Sequence, residues 1–232
     1  MISQNLDKKE VQEALVCTWD INADCNNCTD RTNLDCKWDM KHLIRFYTIG
    51  LPFFIPVALG LILTVLWTGD WFGIIIYAIF WIFFFGFFEI RVLCRHCPYY
   101  SEEGKILHCS ANHGLLKIWK YEPGPMSRWE KLGLLVGFVL FLGIPIITII
   151  FATITLVDDG AELFLVLIME ALSILSIGGA FVSGHSLTNK VCTRCVNFSC
   201  PLNRVPKHLV DSYLMKNPVM KHAWEKTGYR LS

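Results

Sequence analysis

Ten cysteines are the residues of this 232-residue chain with the clearest chemistry, and they fall into three groups. Cys17, Cys25, Cys28 and Cys36 read C-x7-C-x2-C-x7-C near the N-terminus; Cys94, Cys97 and Cys109 stand mid-chain; Cys192, Cys195 and Cys200 stand toward the end. A C-x2-C pair lets two thiolates grip one ion from a single tight turn, and two further cysteines on equal arms can close a tetrahedron around it. The first group is therefore a candidate metal site complete in itself. The second has three thiols, and His96, His108 or His113 could supply a fourth ligand; His108 is preferred because it directly precedes Cys109. The third repeats the C-x2-C knuckle, and Cys94 to Cys192 spans the same length of chain as Cys97 to Cys195. That repetition predicts a shared site of Cys94, Cys97, Cys192 and Cys195, with Cys109 and Cys200 flanking it or adding ligands.

Zinc accepts four thiolates and fits C-x2-C knuckles. The Cys97–Pro98 and Cys200–Pro201 dipeptides are also how a ferredoxin cluster run ends, so an iron–sulfur cluster is the alternative. The spacing C-x2-C-x4-C-P departs from that run, which favours zinc.

What must position these thiols is apolar. Hydrophobic residues make up 53% of the chain and charged residues only 18%, against roughly 25% in soluble domains. Residues 46–68, 71–90, 132–157 and 163–184 are four apolar stretches, each reaching the roughly 20 residues that a helix needs to cross a bilayer. The expected fold class is an all-α integral membrane protein, with transmembrane hairpins at 46–90 and 132–184. Three Cys-rich polar segments remain, at 1–45, 91–131 and 185–232.

All 21 Lys and Arg lie in those three polar segments. The two short connections carry Asp70, Asp158, Asp159 and Glu162 and no base, so the positive-inside rule puts both termini and all ten cysteines in the cytoplasm. Thiols there stay reduced, which favours metal over disulfides. Residues 1–45 lack a signal-peptide pattern, so the first span is expected to act as its own insertion signal. Two short helices split at Asn217–Pro218 are expected within 205–228, lying on the inner leaflet or on the thiol knuckles.

Four helices with a Cys-rich loop after the second resemble the protein palmitoyltransferases, and His108-Cys109-Ser110 is similar to part of their zinc-binding loop. Their Asp-His-His-Cys motif is absent here, so the resemblance implies no acyl transfer. Four helices with Cys-Pro motifs also resemble membrane-bound ferredoxin-type quinol oxidation subunits, whose C-terminal ferredoxin repeats this chain lacks.

Glu170 lies inside the fourth stretch, where an ionisable group is a candidate for ion handling. The plainer expectation is a neutral acid hydrogen-bonded to Thr148, Thr153 or Tyr77. No histidine falls in the four stretches, which excludes haem held by paired histidines in the bilayer. Gly133 and Gly137, like Gly179 and Ser183, have the spacing for close helix contact within the bundle or across a homodimer. There is no nucleotide-binding glycine loop, serine nucleophile or open metal position, so the expectation is a non-enzymatic metalloprotein. Its partners would be the bilayer and a cytoplasmic or membrane protein. A net charge of +1 and an acid-rich N-terminal segment exclude nucleic acid.

Overall fold

The structure is a computed structural model, and it describes residues 16–20 and 23–232. The spacing of residues 10–16 in the sequence also fits a short helix, and all of these residues but Val16 lie outside the described ones. The described chain is helical, with one isolated antiparallel bridge between Ile106 and Leu116. Four helices are long and apolar enough to cross a membrane. They are α1 (Met40–Thr68), α2 (Phe72–Phe83, continuing through a π-helical turn Phe84–Phe88 into Glu89–Val92), α3 (Arg128–Asp158) and α4 (Leu163–Lys190). Two short helices follow, α5 (Lys207–Met215) and α6 (Pro218–Lys226).

Local chemistry sets the helix ends. The Asp39 side chain accepts the Lys41 N–H at the start of α1, and Gly69, at φ 72°, ends it in a left-handed turn that only glycine adopts without strain. Ser127 and Glu130 form a reciprocal capping box on α3. α1 therefore begins six residues before its uncharged stretch, and α3 four.

α1 packs mainly against α4, α3 lies against both, and α2 is applied to α3. Glycines set these approaches. A Cβ on Gly179 would run into the Pro52 carbonyl of α1, and one on Gly137 into the Phe84 ring. The π-turn re-aims α2 so that Phe84 and Phe88 both cover the Gly133/Gly137 side of α3. The Gly133–Gly137 spacing is thus used inside one chain. Phe53, Val57, Ile149 and Met169 form the bundle core, while Ile79, Val139, Phe151 and Phe181 point outward and are exposed, as lipid-facing residues are.

The three polar segments form one head on one end of the bundle. Its single core unites Leu34, Ile90, Cys94, Cys97, Cys109, Val196, Tyr213 and Trp224. The two C-terminal helices occur as expected, and they lie on the cysteine segments. Tyr213, Leu214 and Met220 are almost fully buried there, and each such side chain contributes about 1.5–3 kcal/mol by burial.

Candidate metal centre

Cys17, Cys25, Cys28 and Cys36 all line one cavity of about 940 Å³. The chain is bent there by local polar bonds. Asp24 accepts the Asn27 backbone and side-chain N–H groups at 3.2 and 2.9 Å, and a 3-10 turn, Thr29–Thr32, follows Cys28. The C-terminal helices supply donors to the sulfurs: Asn217 Nδ2 lies 3.3 Å from Cys17 Sγ, and Lys216 Nζ lies 3.2 Å from Cys28 Sγ. Lys216 is itself held by Asp30 at 2.7 Å. Burial pushes the Cys17 thiol up, with Cys25 and Cys28 adding repulsion. Burial and the neighbouring Cys17 and Cys28 push Cys36 up to about 12. Four would-be anions in one another's field, partly out of water, need either protons or a cation.

The other six cysteines form a second neighbourhood. The end of α2 turns through a 3-10 segment, Cys94–His96, that brings the Cys97 N–H to the Cys94 carbonyl at 2.9 Å. From there backbone N–H groups approach four of the sulfurs. The Asn112 N–H donates to Cys109 Sγ at 3.0 Å, and the N–H groups of Tyr99, Ala111, Asn197 and Leu202 lie where they lower the Cys97, Cys109, Cys195 and Cys200 thiols respectively. N–H groups two or three residues past a cysteine, turned onto its sulfur, stabilise a thiolate. Burial works against them: it is the largest influence on all four and pushes Cys109 and Cys200 up to about 11 and Cys97 and Cys195 further. Cys97 also feels Cys195, Cys109 and Cys200, so two groups from opposite hairpins share one buried place. Cys192 is buried too, beside the Arg204 charge.

All ten cysteines are free thiols. Among the described residues, no three His, Cys, Asp or Glu side chains stand together as a group that could hold an ion. The thiols are gathered, and a coordination sphere is not shown.

His108 Nδ1 is 2.7 Å from Glu102 Oε2, and its ring sits beside Trp38 and His113. His113 stacks on Trp38 at 4.8 Å, and His96 is buried with Nδ1 2.7 Å from the Gly124 carbonyl. Glu170 is exposed on the outer face of α4 and accepts no hydrogen bond among the described residues. Thr148 and Thr153, expected as its partners, donate instead to the Ile144 and Ile149 carbonyls of their own helix.

Several residues at the site carry no signal in the sequence. Asp35 is buried and joined to Arg194 and Arg45, and Lys216 and Asn217 reach thiols some two hundred positions away. Asn112 is another such residue, its backbone N–H donating to Cys109 Sγ at 3.0 Å. Its side chain also bonds Glu89 at 2.8 Å and Cys94 Sγ at 3.2 Å. No protein-family model, curated protein or solved structure matches this chain.

Proposed function

We propose that this chain is a polytopic membrane metalloprotein whose cytoplasmic head is braced by two thiolate metal sites, with zinc as the metal, and serves as a docking platform for a protein partner. The observation that carries the reading is the gathering of four buried or half-buried thiols, Cys97, Cys109, Cys195 and Cys200, in one place, with the Asn112 N–H on Cys109 Sγ at 3.0 Å and further backbone N–H groups near the other sulfurs. A buried neutral thiol has no need of such donors, whereas a metal-bound thiolate does. These four would hold one ion and Cys17, Cys25, Cys28 and Cys36 the other. A bound zinc would supply a redox-silent cross-link between the three segments. His108, oriented by Glu102 through Nδ1, is in the usual arrangement of a ligand histidine and is the reserve donor. The charge asymmetry supports a cytoplasmic head with both termini on that side.

The alternative cofactor is an iron–sulfur cluster, which would make the protein an electron-transfer subunit. N–H···S bonds favour it as well, since they tune cluster potentials. Metal and acid-labile sulfide content, with an absorption spectrum, on protein purified without oxygen in detergent separates the two. About two equivalents of zinc and a colourless sample are expected on the two-site reading. Iron with matching sulfide and a visible band bleached by dithionite would reverse the assignment, and neither metal would remove it.

A further inference from the structure

A second cavity, of about 1230 Å³, lies away from the thiols, lined by the 122–127 turn, the first turn of α3, α6 and the side chains of Arg95 and His96. His96 is 4% exposed. Its Nδ1 faces a carbonyl oxygen, which only accepts, so Nδ1 carries a proton, and the neutral ring then offers a lone pair at Nε2. That Nε2 has no hydrogen-bond partner, and Glu130 Oε1 is 3.7 Å from it. Arg95 Nε is buried without a partner too, while Arg95 Nη2 donates to Glu130 at 3.0 Å. A buried polar atom left without a partner is costly, so a ligand group that satisfies it is favoured.

The charges around this acceptor are mostly positive and uncommitted. Arg128 and Lys131 of α3 and Lys226 of α6 line the cavity and make no ion pair among the described residues. Of the two lining acids, Glu130 is taken by Arg95 and by the Ser127 N–H. That leaves Glu122 against three cations. The cavity also sits at the first turn of a span, beside Trp129, which is 81% exposed. An exposed indole at a span's end marks the headgroup level of a bilayer.

We propose that this cavity seats the headgroup of an anionic phospholipid that carries a free hydroxyl. Its phosphate accepts from Arg128 and Lys131, and its hydroxyl donates to His96 Nε2. A soluble glycerol phosphate has the same chemistry; the position at the start of α3 assigns the site to lipid. The inference does not depend on the metal reading, because no thiol lines the cavity and metal content is measured separately.

The test uses the full chain, delipidated in detergent, with native mass spectrometry of bound phosphatidylglycerol, phosphatidylmethanol and phosphatidylcholine. Phosphatidylglycerol is expected to be retained about thirtyfold over phosphatidylcholine, from two cations at roughly 1 kcal/mol each near the surface. The double variant Arg128→Gln/Lys131→Gln, at one exposed and one half-buried position of the first helical turn, should lose that excess without unfolding. Phosphatidylglycerol should also exceed phosphatidylmethanol, which has the charge and lacks the hydroxyl, and His96→Phe should erase that difference. Equal retention of phosphatidylglycerol and phosphatidylcholine, or an unaltered double variant, would overturn the proposal. So would displacement of the lipid by millimolar sn-glycerol 3-phosphate, which would reassign the cavity to a soluble phosphate ester.

Discussion

Asp35 and Arg194 hold each other twice: the Asp35 backbone N–H donates to the Arg194 carbonyl at 2.8 Å, and Arg194 Nε donates to Asp35 Oδ1 at 3.0 Å. Each immediately precedes a candidate ligand, Cys36 and Cys195. The Tyr99 hydroxyl donates to the Asp35 carbonyl at 2.6 Å, two residues past Cys97. One residue thus ties all three cysteine groups together, and Arg45 Nη2, 2.9 Å from Oδ2, ties them to α1.

Asp35→Ala should loosen the head while sparing the spans. Both arginines are more than a third exposed, so water takes up their charge and the cost is about 1–3 kcal/mol, not that of a fully buried pair. Hydrogen exchange in residues 23–39 should rise with α1 and α4 unchanged. Unaltered protection there would mean that the Asp35 backbone bonds to Arg194 and Tyr99, which alanine keeps, join the segments without the carboxylate.

Asp211 gives the head a pH dependence. Burial alone would raise its pKa, but donors on Lys207 (2.6 Å), Ser232 and Tyr229 (2.7 Å) outweigh it and hold the carboxyl below the usual range. A carboxyl lowered in the fold contributes stability that is present above its unfolded pKa of about 3.9 and is lost as pH falls through the folded value. Acid should therefore release α5, α6 and the 227–232 segment, read as faster exchange in residues 207–232 below about pH 4. Asp211→Asn should be weaker at pH 7 and flatter in acid; an acid limb as steep as that of the parent protein would assign the effect to other groups.

The spans and the shared side of the polar segments were legible because apolar length and charge asymmetry are properties of the chain alone. So was the break at Asn217–Pro218, where proline cannot extend α5 but starts α6 well. The tertiary use of particular residues was not. Glu170 looks interior by its position in the sequence, yet α4 has too weak an apolar asymmetry to say which face turns inward. The nearness of Cys97 to Cys109 and Cys200 depends on how loops fold back, which C-x2-C spacing does not encode.

The glycines separate packing from propensity. Gly137→Ala and Gly179→Ala meet a ring and a backbone carbonyl respectively, so both should destabilise the bundle by about 1–3 kcal/mol, Gly179→Ala the more because backbone cannot swing aside. Gly143 and Gly178 have nothing within 4 Å of an added Cβ. Alanine there should be neutral or gain up to about 1 kcal/mol of helix propensity. Thermal melts in detergent check the four together, and a destabilising Gly178→Ala would point to a second copy packed on that face of α4.

Glu170 stands eight residues into α4 on its exposed face, where it lines no path through a single bundle. Glu170→Gln should leave zinc flux into proteoliposomes and the metal content of the head unchanged. A loss of flux in this variant would place Glu170 on an ion path built with another subunit and make the protein a transporter.

The division of the cysteines is open to single substitutions, because a structural zinc that loses one of four thiolates no longer withstands a chelator. Cys36→Ser should cost one metal equivalent and leave the other site loaded. Cys109→Ser and Cys200→Ser should each cost the second equivalent, since both sulfurs carry backbone donors. Cys192→Ser should retain both metals: Cys195 and Cys200 feel this thiol, but no backbone N–H is among the influences on it, which are its burial and the Arg204 charge. Metal content after dialysis against a chelator reads all four variants. If Cys192→Ser loses metal and Cys109→Ser keeps it, the site is the one that spacing alone suggests, Cys94, Cys97, Cys192 and Cys195. The N–H groups at Cys109 and Cys200 would then be turn geometry with no ion behind them.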